Sequence, residues 1–414
     1  MKRTGEAQVD PETLLFSMFT PEGRVNPYPA LSELRRTEPV YYHSGFNTYF
    51  LTRFTDCQSV LTDPEFLVPD LDWCAREVPD WRDRPSAEFF YSSLLRSNGT
   101  DHARLRRLVG GAFSARRVAG LRHTVRDITA RLLDDFADAT SDGGSADFQE
   151  LVGYPLPVTV VGHLIGVPVE EQRQFHGLGQ DAGRLLEPVR SPEDWERADR
   201  AVVALRAYFT GLIALRRARP ADDLTSILLA VRDTDDGRLS ETELVDILVL
   251  VLIAGFETTA GLLGLAVHAL LAHRDQWDLL VSGPELAGQA VEESLRWDTP
   301  VQMTERIAAG PVDVAGVTVP EGANVTTVLA AANRDPERHA DPDTFDIRRD
   351  DIKVLGFSAG LHYCLGAALA RVEAAELLEQ LPRRFPSLTA SGPPRRRESI
   401  SLRSFEELPL TTKP

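Results

Sequence analysis

Three stretches of the chain bring together residue types that can do chemistry. The first is Phe357-Ser358-Ala359-Gly360-Leu361-His362-Tyr363-Cys364-Leu365-Gly366, a glycine-punctuated loop that runs into the helical pattern AALARVEAAELLEQL. Cys364 stands just before that helix, where free amide N–H groups and the positive end of the helix dipole favour a thiolate, the form that binds metal. The other reading is a small buried hydrophobe, which describes most free cysteines. Cys57, Cys74 and Cys364 are too few and too scattered for a disulfide framework or a CxxC-type zinc site. A lone thiolate suits a single axial bond to a haem iron better than tetrahedral zinc.

The second stretch is Glu257-Thr258-Thr259, a carboxylate and two hydroxyls inside the apolar run LVDILVLVLIAGFETTAGLLGLAVHALLAH. Buried polar groups without partners cost kilocalories, so this trio needs a reason. Two stay open. The threonine hydroxyls can bond back to the helix backbone while Glu257 pairs with an arginine elsewhere. Alternatively, Ala254 and Gly255 let something bulky press against the helix, and Glu257 with Thr258 forms an acid–alcohol pair that passes protons into that space. The third stretch, Glu293-Ser294-Leu295-Arg296, is by itself only an i, i+3 ion pair on a helix face.

The elements that must position these residues are legible in outline. Ser240 and Glu243 form a capping-box pair, and the helical pattern then runs without proline to about His273. Thirty-odd residues at helical rise span about 50 Å. Such a helix, apolar on nearly every face, is either buried in a large domain or crosses a membrane, and a carboxylate at its centre speaks against lipid. Val40–Thr52 reads as a small sheet with a Ser44-Gly45 turn. Pro64–Asn98 reads as a long, partly helical loop, and Asp101–Ala230 as mainly helical. The segment carrying Glu293 is helical and ends before Thr299-Pro300.

Composition narrows the class. The 414 residues are 43% hydrophobic and 26% charged, which excludes disorder and leaves ample material for a core. The 45 basic and 62 acidic residues give a net charge of -17, which argues against a nucleic-acid binder. The polar amino terminus carries neither a signal-peptide pattern nor an anchor, so a cytoplasmic protein without membrane attachment is expected.

Taken in order, AGFETT, ESLR, ANRDP at Ala332–Pro336 and FSAGLHYCLG resemble the bacterial soluble cytochromes P450, and the resemblance covers essentially the whole chain. It implies one mainly α, triangular domain with small β-sheets over residues 1–414, holding haem b between the long central helix and the cysteine loop. Cys364 then resembles the axial metal ligand, with Phe357, Gly366 and Ala254 beside the cofactor. Glu257 and Thr258 match the catalytic acid–alcohol pair of the oxygen-activating groove. Glu293 and Arg296 match the structural pair behind the haem, closed by Arg349. His102 and Arg106 match the helix that grips one propionate, while Arg306 and His362 fall where the family places further propionate partners. Two departures stand out: Ser358 occupies a common glycine position, and Asn98-Gly99-Thr100-Asp101 replaces a proline-containing entry to the His102 helix.

The implied activity is that of a haem-thiolate monooxygenase, an oxidoreductase that uses O2 to hydroxylate or epoxidise an apolar organic substrate, in bacterial secondary metabolism. Thiolate donation to iron favours O–O cleavage. Oxidative cyclisation or aryl coupling on the same site is the alternative, and a non-catalytic haem protein is disfavoured by the presence of both Glu257 and Thr258. Expected walls of the substrate space are the Trp73–Leu95 loop, Leu250, Val251, Ala254, Gly255 and Val301–Thr304. With no room for a flavin reductase, electrons are expected from a ferredoxin and its separate reductase. Seven arginines between His102 and Arg126, with no acid among them, make a +7 window for that partner.

Overall fold

The computed structural model describes residues 9–234 and 239–412. Its spine is the central helix Glu241–Ala272, started by the expected capping box: the Ser240 side chain accepts from the Glu243 amide, and the Glu243 carboxylate accepts from the Ser240 amide. Among the described residues it is the helix long and apolar enough to cross a membrane, yet 72% of its apolar window is buried inside the protein. Helices Pro155–Ile165, Phe175–Gly183, Pro192–Ala218, Ala287–Trp297 and Ala367–Arg384 pack around it, which is why it needs no polar face.

The helix that follows the cysteine loop, Ala367–Arg384, lies between the central helix and Ala115–Ala139. Its fully buried Glu376 is neutralised by Arg122 at 2.5 Å and Arg126 at 2.9 Å. A buried carboxylate without such partners would be strongly destabilising.

A five-stranded sheet covers the other side, in the order Val40–His43, Thr48–Leu51, Asn324–Thr327, Thr304–Ala308, Phe66–Leu67. Thr48–Leu51 runs parallel to Asn324–Thr327, and the other pairings are antiparallel. This sheet carries Arg306 on a central strand. The expected loop Pro64–Asn98 contains helices Leu71–Glu77 and Pro85–Ser92. Phe89, Phe90 and Tyr91 are buried in the main core, so these three aromatics serve packing rather than an open wall. The whole is mainly helical with small sheets, as expected.

The Glu293 segment is the helix Ala287–Trp297. Arg296 is fully buried and donates to both oxygens of Glu293, at 2.7 and 2.8 Å, and to the carbonyls of Pro342 and Thr344. Arg349 reaches Glu293 at 3.4 Å, and the Asp346 amide donates to the same carboxylate at 2.8 Å. One buried carboxylate thus ties residues 342–349, just upstream of the cysteine loop, to the helical core.

Candidate active site

The cysteine loop is held from both ends. The Cys364 amide donates to the Phe357 carbonyl at 2.9 Å, and the Ser358 amide donates to Leu355 at 2.7 Å. Ser358 has φ +60°, the left-handed conformation that a side chain disfavours, so the departure from glycine carries a local strain cost. Arg371, one helical turn beyond the loop, lies over the Phe357 ring at 4.4 Å, bonds the Tyr363 hydroxyl at 3.1 Å and pairs with Glu292 at 2.5 Å. Gly366 caps the helix and opens onto space at its α-carbon.

Cys364 is reached by solvent but set in a crowded recess, and desolvation pushes its thiol up. The Gly366 and Ala367 amides, Arg106 and Arg371 act in the opposite direction and do not win. The amides at the helix N-terminus favour the thiolate, as expected, but burial of the sulfur outweighs them, and a cation at the sulfur would act in the same direction as the amides.

Around the loop lies a cluster of donors. Arg106 bonds the Tyr363 carbonyl at 2.5 Å, and His102 stacks on His362 with ring centroids 4.2 Å apart. Burial and neighbouring arginines hold both imidazoles neutral, with His362 pushed down to about 3. Arg306 is buried, and its side chain contacts the Glu305 carbonyl at 2.8 Å and the Ser358 hydroxyl at 3.4 Å. Among the described residues no carboxylate pairs with Arg306, and burial beside Arg96 drives it down to about 10. Glu305, the nearby acid, is already paired with Arg96 at 2.6 Å. A desolvated guanidinium with two imidazoles and no anion is a seat for carboxylates supplied by something else.

The His102 helix, Gly99–Gly110, begins differently from a proline-led entry. Gly99 takes φ +54°, while the Asn98 side chain bonds the backbone of Val68 and the carboxylate of Asp70.

On the central helix, Ala254 is exposed and Leu250, Val251 and Thr258 are partly so, a bare stripe at helical spacing on an otherwise buried rod. Gly255 is partly exposed beside it, but a β-carbon there would meet Val161 of the Pro155–Ile165 helix at 2.8 Å, so this glycine also serves helix packing. Glu257 and Thr258 do not touch. The Thr258 hydroxyl donates back to the Ala254 carbonyl at 2.8 Å, and the buried Glu257 pairs with Arg397. Adjacent residues on a helix point about 100° apart, which puts the alcohol on the bare stripe and the acid beneath the Phe175–Gly183 helix. There Gly183 comes so close that a β-carbon would lie 2.6 Å from Glu257 Oε2. Burial raises the Glu257 carboxyl and Arg397 opposes that rise. Arg397, 140 positions away, carried no sequence signal.

Four of the seven arginines in the basic window are neutralised by acids outside it. Arg104 pairs with Glu243, Arg117 with Asp222, and Arg122 and Arg126 with Glu376. The +7 count therefore overstates the exposed charge. Arg107 and Arg116 are exposed, as are Leu361 and Tyr363 of the cysteine loop.

This fold and site set a donor cluster with an unpaired buried guanidinium beside one cysteine, and a bare stripe on the central helix. The Cytochrome P450 family model matches residues 285–405. The 6-deoxyerythronolide B hydroxylase of Saccharopolyspora erythraea is 35% identical over 92% of this chain and 95% of its own length. The vitamin D(3) 25-hydroxylase of Pseudonocardia autotrophica is 38% identical over 94% of each chain. The crystal structure of P450BioI in complex with hexadec-9Z-enoic acid ligated acyl carrier protein is similar at TM-score 0.87 and 33% identity, covering 94% of this chain and 98% of that one. The chain belongs to the cytochrome P450 family and is a cytochrome P450 monooxygenase of organic substrates, with haem as its cofactor. The residues present fit that group: Arg306, His102 and His362 would meet its propionates, and Cys364 would meet its iron.

Proposed function

We propose that residues 1–414 form a single haem-thiolate domain in which Cys364 is the proximal metal ligand. His102, Arg106, Arg306 and His362 hold the propionates, and Phe357, Ala254 and Gly366 border the macrocycle. When bound, haem b supplies the O2-activating and oxygen-inserting chemistry. The carboxylate-free cluster at Arg306 beside the Cys364 loop carries this reading, because nothing else described there offsets a buried guanidinium.

The chain's own part is to shape the space and move protons. Thr258 carries its hydroxyl on the bare stripe, while Glu257, held by Arg397 on another side of the helix, resupplies protons without direct contact with it. Positioned groups of this kind contribute about 10²- to 10⁴-fold. Replacing Thr258 by Ala is expected to lower product per electron consumed about tenfold or more, with hydrogen peroxide released instead and substrate binding intact. Unchanged coupling would remove Thr258 from the relay.

Leu250, Val251, Ala254 and the Val301–Thr304 segment point to an apolar organic substrate, hydroxylated or epoxidised. The hydroxylase names among the relatives support hydroxylation, and one of them acts on 6-deoxyerythronolide B, which favours secondary metabolism. A cytoplasmic location agrees with these bacterial relatives.

For electrons, a ferredoxin with a separate reductase fits a face where Arg107 and Arg116 are exposed, as are Leu361 and Tyr363. Charge reversal at Arg107 or Arg116 is expected to slow ferredoxin-driven reduction several-fold at low ionic strength and less at high salt. Stopped-flow reduction rates indifferent to both changes would move the docking face elsewhere.

A further inference from the structure

Arg306 is not the only arginine with an unanswered charge; others gather away from the Cys364 loop. A cavity of about 20 Å³, room for about one water-sized group, lies between the helix Pro21–Val25 and the C-terminal loop. Its lining includes Arg24, Gln302, Arg396, Arg397, Arg403 and Ser404. Four guanidinium groups border this one space.

The carboxylates around it are already engaged. Asp298 accepts from Arg403 at 2.6 Å and from the Tyr28 hydroxyl at 2.5 Å. Glu257 pairs with Arg397. Glu187 accepts from the amides of Ile400 at 2.9 Å and Ser401 at 3.2 Å and from the Ser399 hydroxyl. Arg24 and Arg396 are left over. Among the described residues neither side chain has an ion pair, and Arg24 Nε and Arg396 Nη1 are buried without a hydrogen-bond partner. Arg396 rests on the Phe405 ring at 4.6 Å, and burial together with the nearby Arg403 draws it down to about 10 despite the neighbouring Asp298. One buried donor nitrogen on each of these half-buried arginines is thus left unsatisfied beside the same cavity, a cost that an anion there would offset.

We propose that this cavity binds a carboxylate, and that the carboxylate is the acidic end of the substrate. Arg24 and Arg396 would hold it, with Gln302 and Ser404 lining the same space. Arg397 links this cavity to the central helix, since it lines the cavity and also pairs with Glu257, the residue before Thr258. An acid group anchored here would leave its apolar chain to run toward the bare stripe at Leu250, Ala254 and Thr258. The substrate part of the proposal rests on the oxygenase reading above, whereas the anion site does not.

The test uses the haem-loaded enzyme and two readouts. In the first, saturated monocarboxylates from hexanoate to hexadecanoate are each compared with the alcohol of equal length, by equilibrium binding and the spin-state shift. Two charge-assisted hydrogen bonds predict that the best acid binds about ten- to hundredfold tighter than its alcohol. Arg24→Gln and Arg396→Gln should each erode that preference while leaving alcohol binding and the reduced CO-bound spectrum unchanged, and Arg396→Lys should keep part of it. In the second, acetate should raise the thermal midpoint of the wild type and have no such effect on Arg396→Gln. Acids and alcohols that bind alike overturn the substrate assignment, leaving a small-anion site if acetate still stabilises. No response to acetate, or an acid preference that survives both Gln variants, overturns the site itself.

Discussion

Replacing Arg296 by Ala is expected to cost about 3–5 kcal/mol of folding stability, the range for removing one partner of a buried ion pair. Arg296 and Glu293 are both fully buried, and the guanidinium also satisfies the Pro342 and Thr344 carbonyls. The substitution leaves a buried carboxylate with Arg349 as its remaining cation and the Pro342 carbonyl without its side-chain donor, while the Thr344 carbonyl keeps Arg349. Against a typical total of about 5–15 kcal/mol, such a loss leaves little margin, and release of residues 342–349 should loosen the cysteine loop and lower haem retention. Arg296→Lys should fall between, because an ammonium keeps the charge but not the forked contact with both Glu293 oxygens. Urea denaturation with an unchanged slope and a lowered midpoint, together with the haem-to-protein absorbance ratio, measures both effects. An Ala variant within about 1 kcal/mol of wild type would show that the pair is dispensable for the fold.

The parts of the fold that sequence revealed are those governed by local chemistry. The central helix announces itself through Ser240 and Glu243, whose reciprocal cap is a four-residue pattern, and through an apolar run too long for a strand. The cysteine helix is equally local, with glycines before it and an uninterrupted helical pattern after. Phe89 and Phe90 were harder, because a buried aromatic in the core and one lining an open space look alike until the neighbouring helices are placed.

Direction and partnership were the other blind spots. Gly255 looks like an opening in the helix face, yet its bare α-carbon is required by Val161 from another helix. Glu257 and Thr258 are consecutive in the chain, and that proximity suggests a touching pair, whereas helical geometry sends them to different surroundings. Arg397 is the residue that fixes Glu257, and no spacing rule links positions 140 apart. The basic window shows the same limit in electrostatics: its arginines can be counted in sequence, but their neutralisation by Glu243, Asp222 and Glu376 appears only in three dimensions.

Replacing Cys364 by Ser is expected to abolish the strongly red-shifted Soret band of the reduced, CO-bound enzyme and to lower turnover by about 10³-fold or more, equivalent to ~4 kcal/mol of lost transition-state stabilisation. Sulfur is the softer, more polarisable donor, and its thiolate pushes electron density onto iron in a way that favours O–O cleavage. The hydroxyl of serine keeps the size and the helix-end position, yet at neutral pH it does not supply an equivalent anion. Haem binding should weaken less than activity does, because His102, Arg106, Arg306 and His362 still meet the propionates. Folding stability should barely change, since Cys364 is reached by solvent and serine fills nearly the same volume in its recess. The separation is the informative outcome: haem retained, stability retained, band and turnover lost. A Ser variant that keeps the red-shifted band would mean that the iron takes its thiolate from elsewhere. The other cysteines are poor substitutes, because Cys57 and Cys74 are buried and desolvation holds both thiols well above their ordinary range.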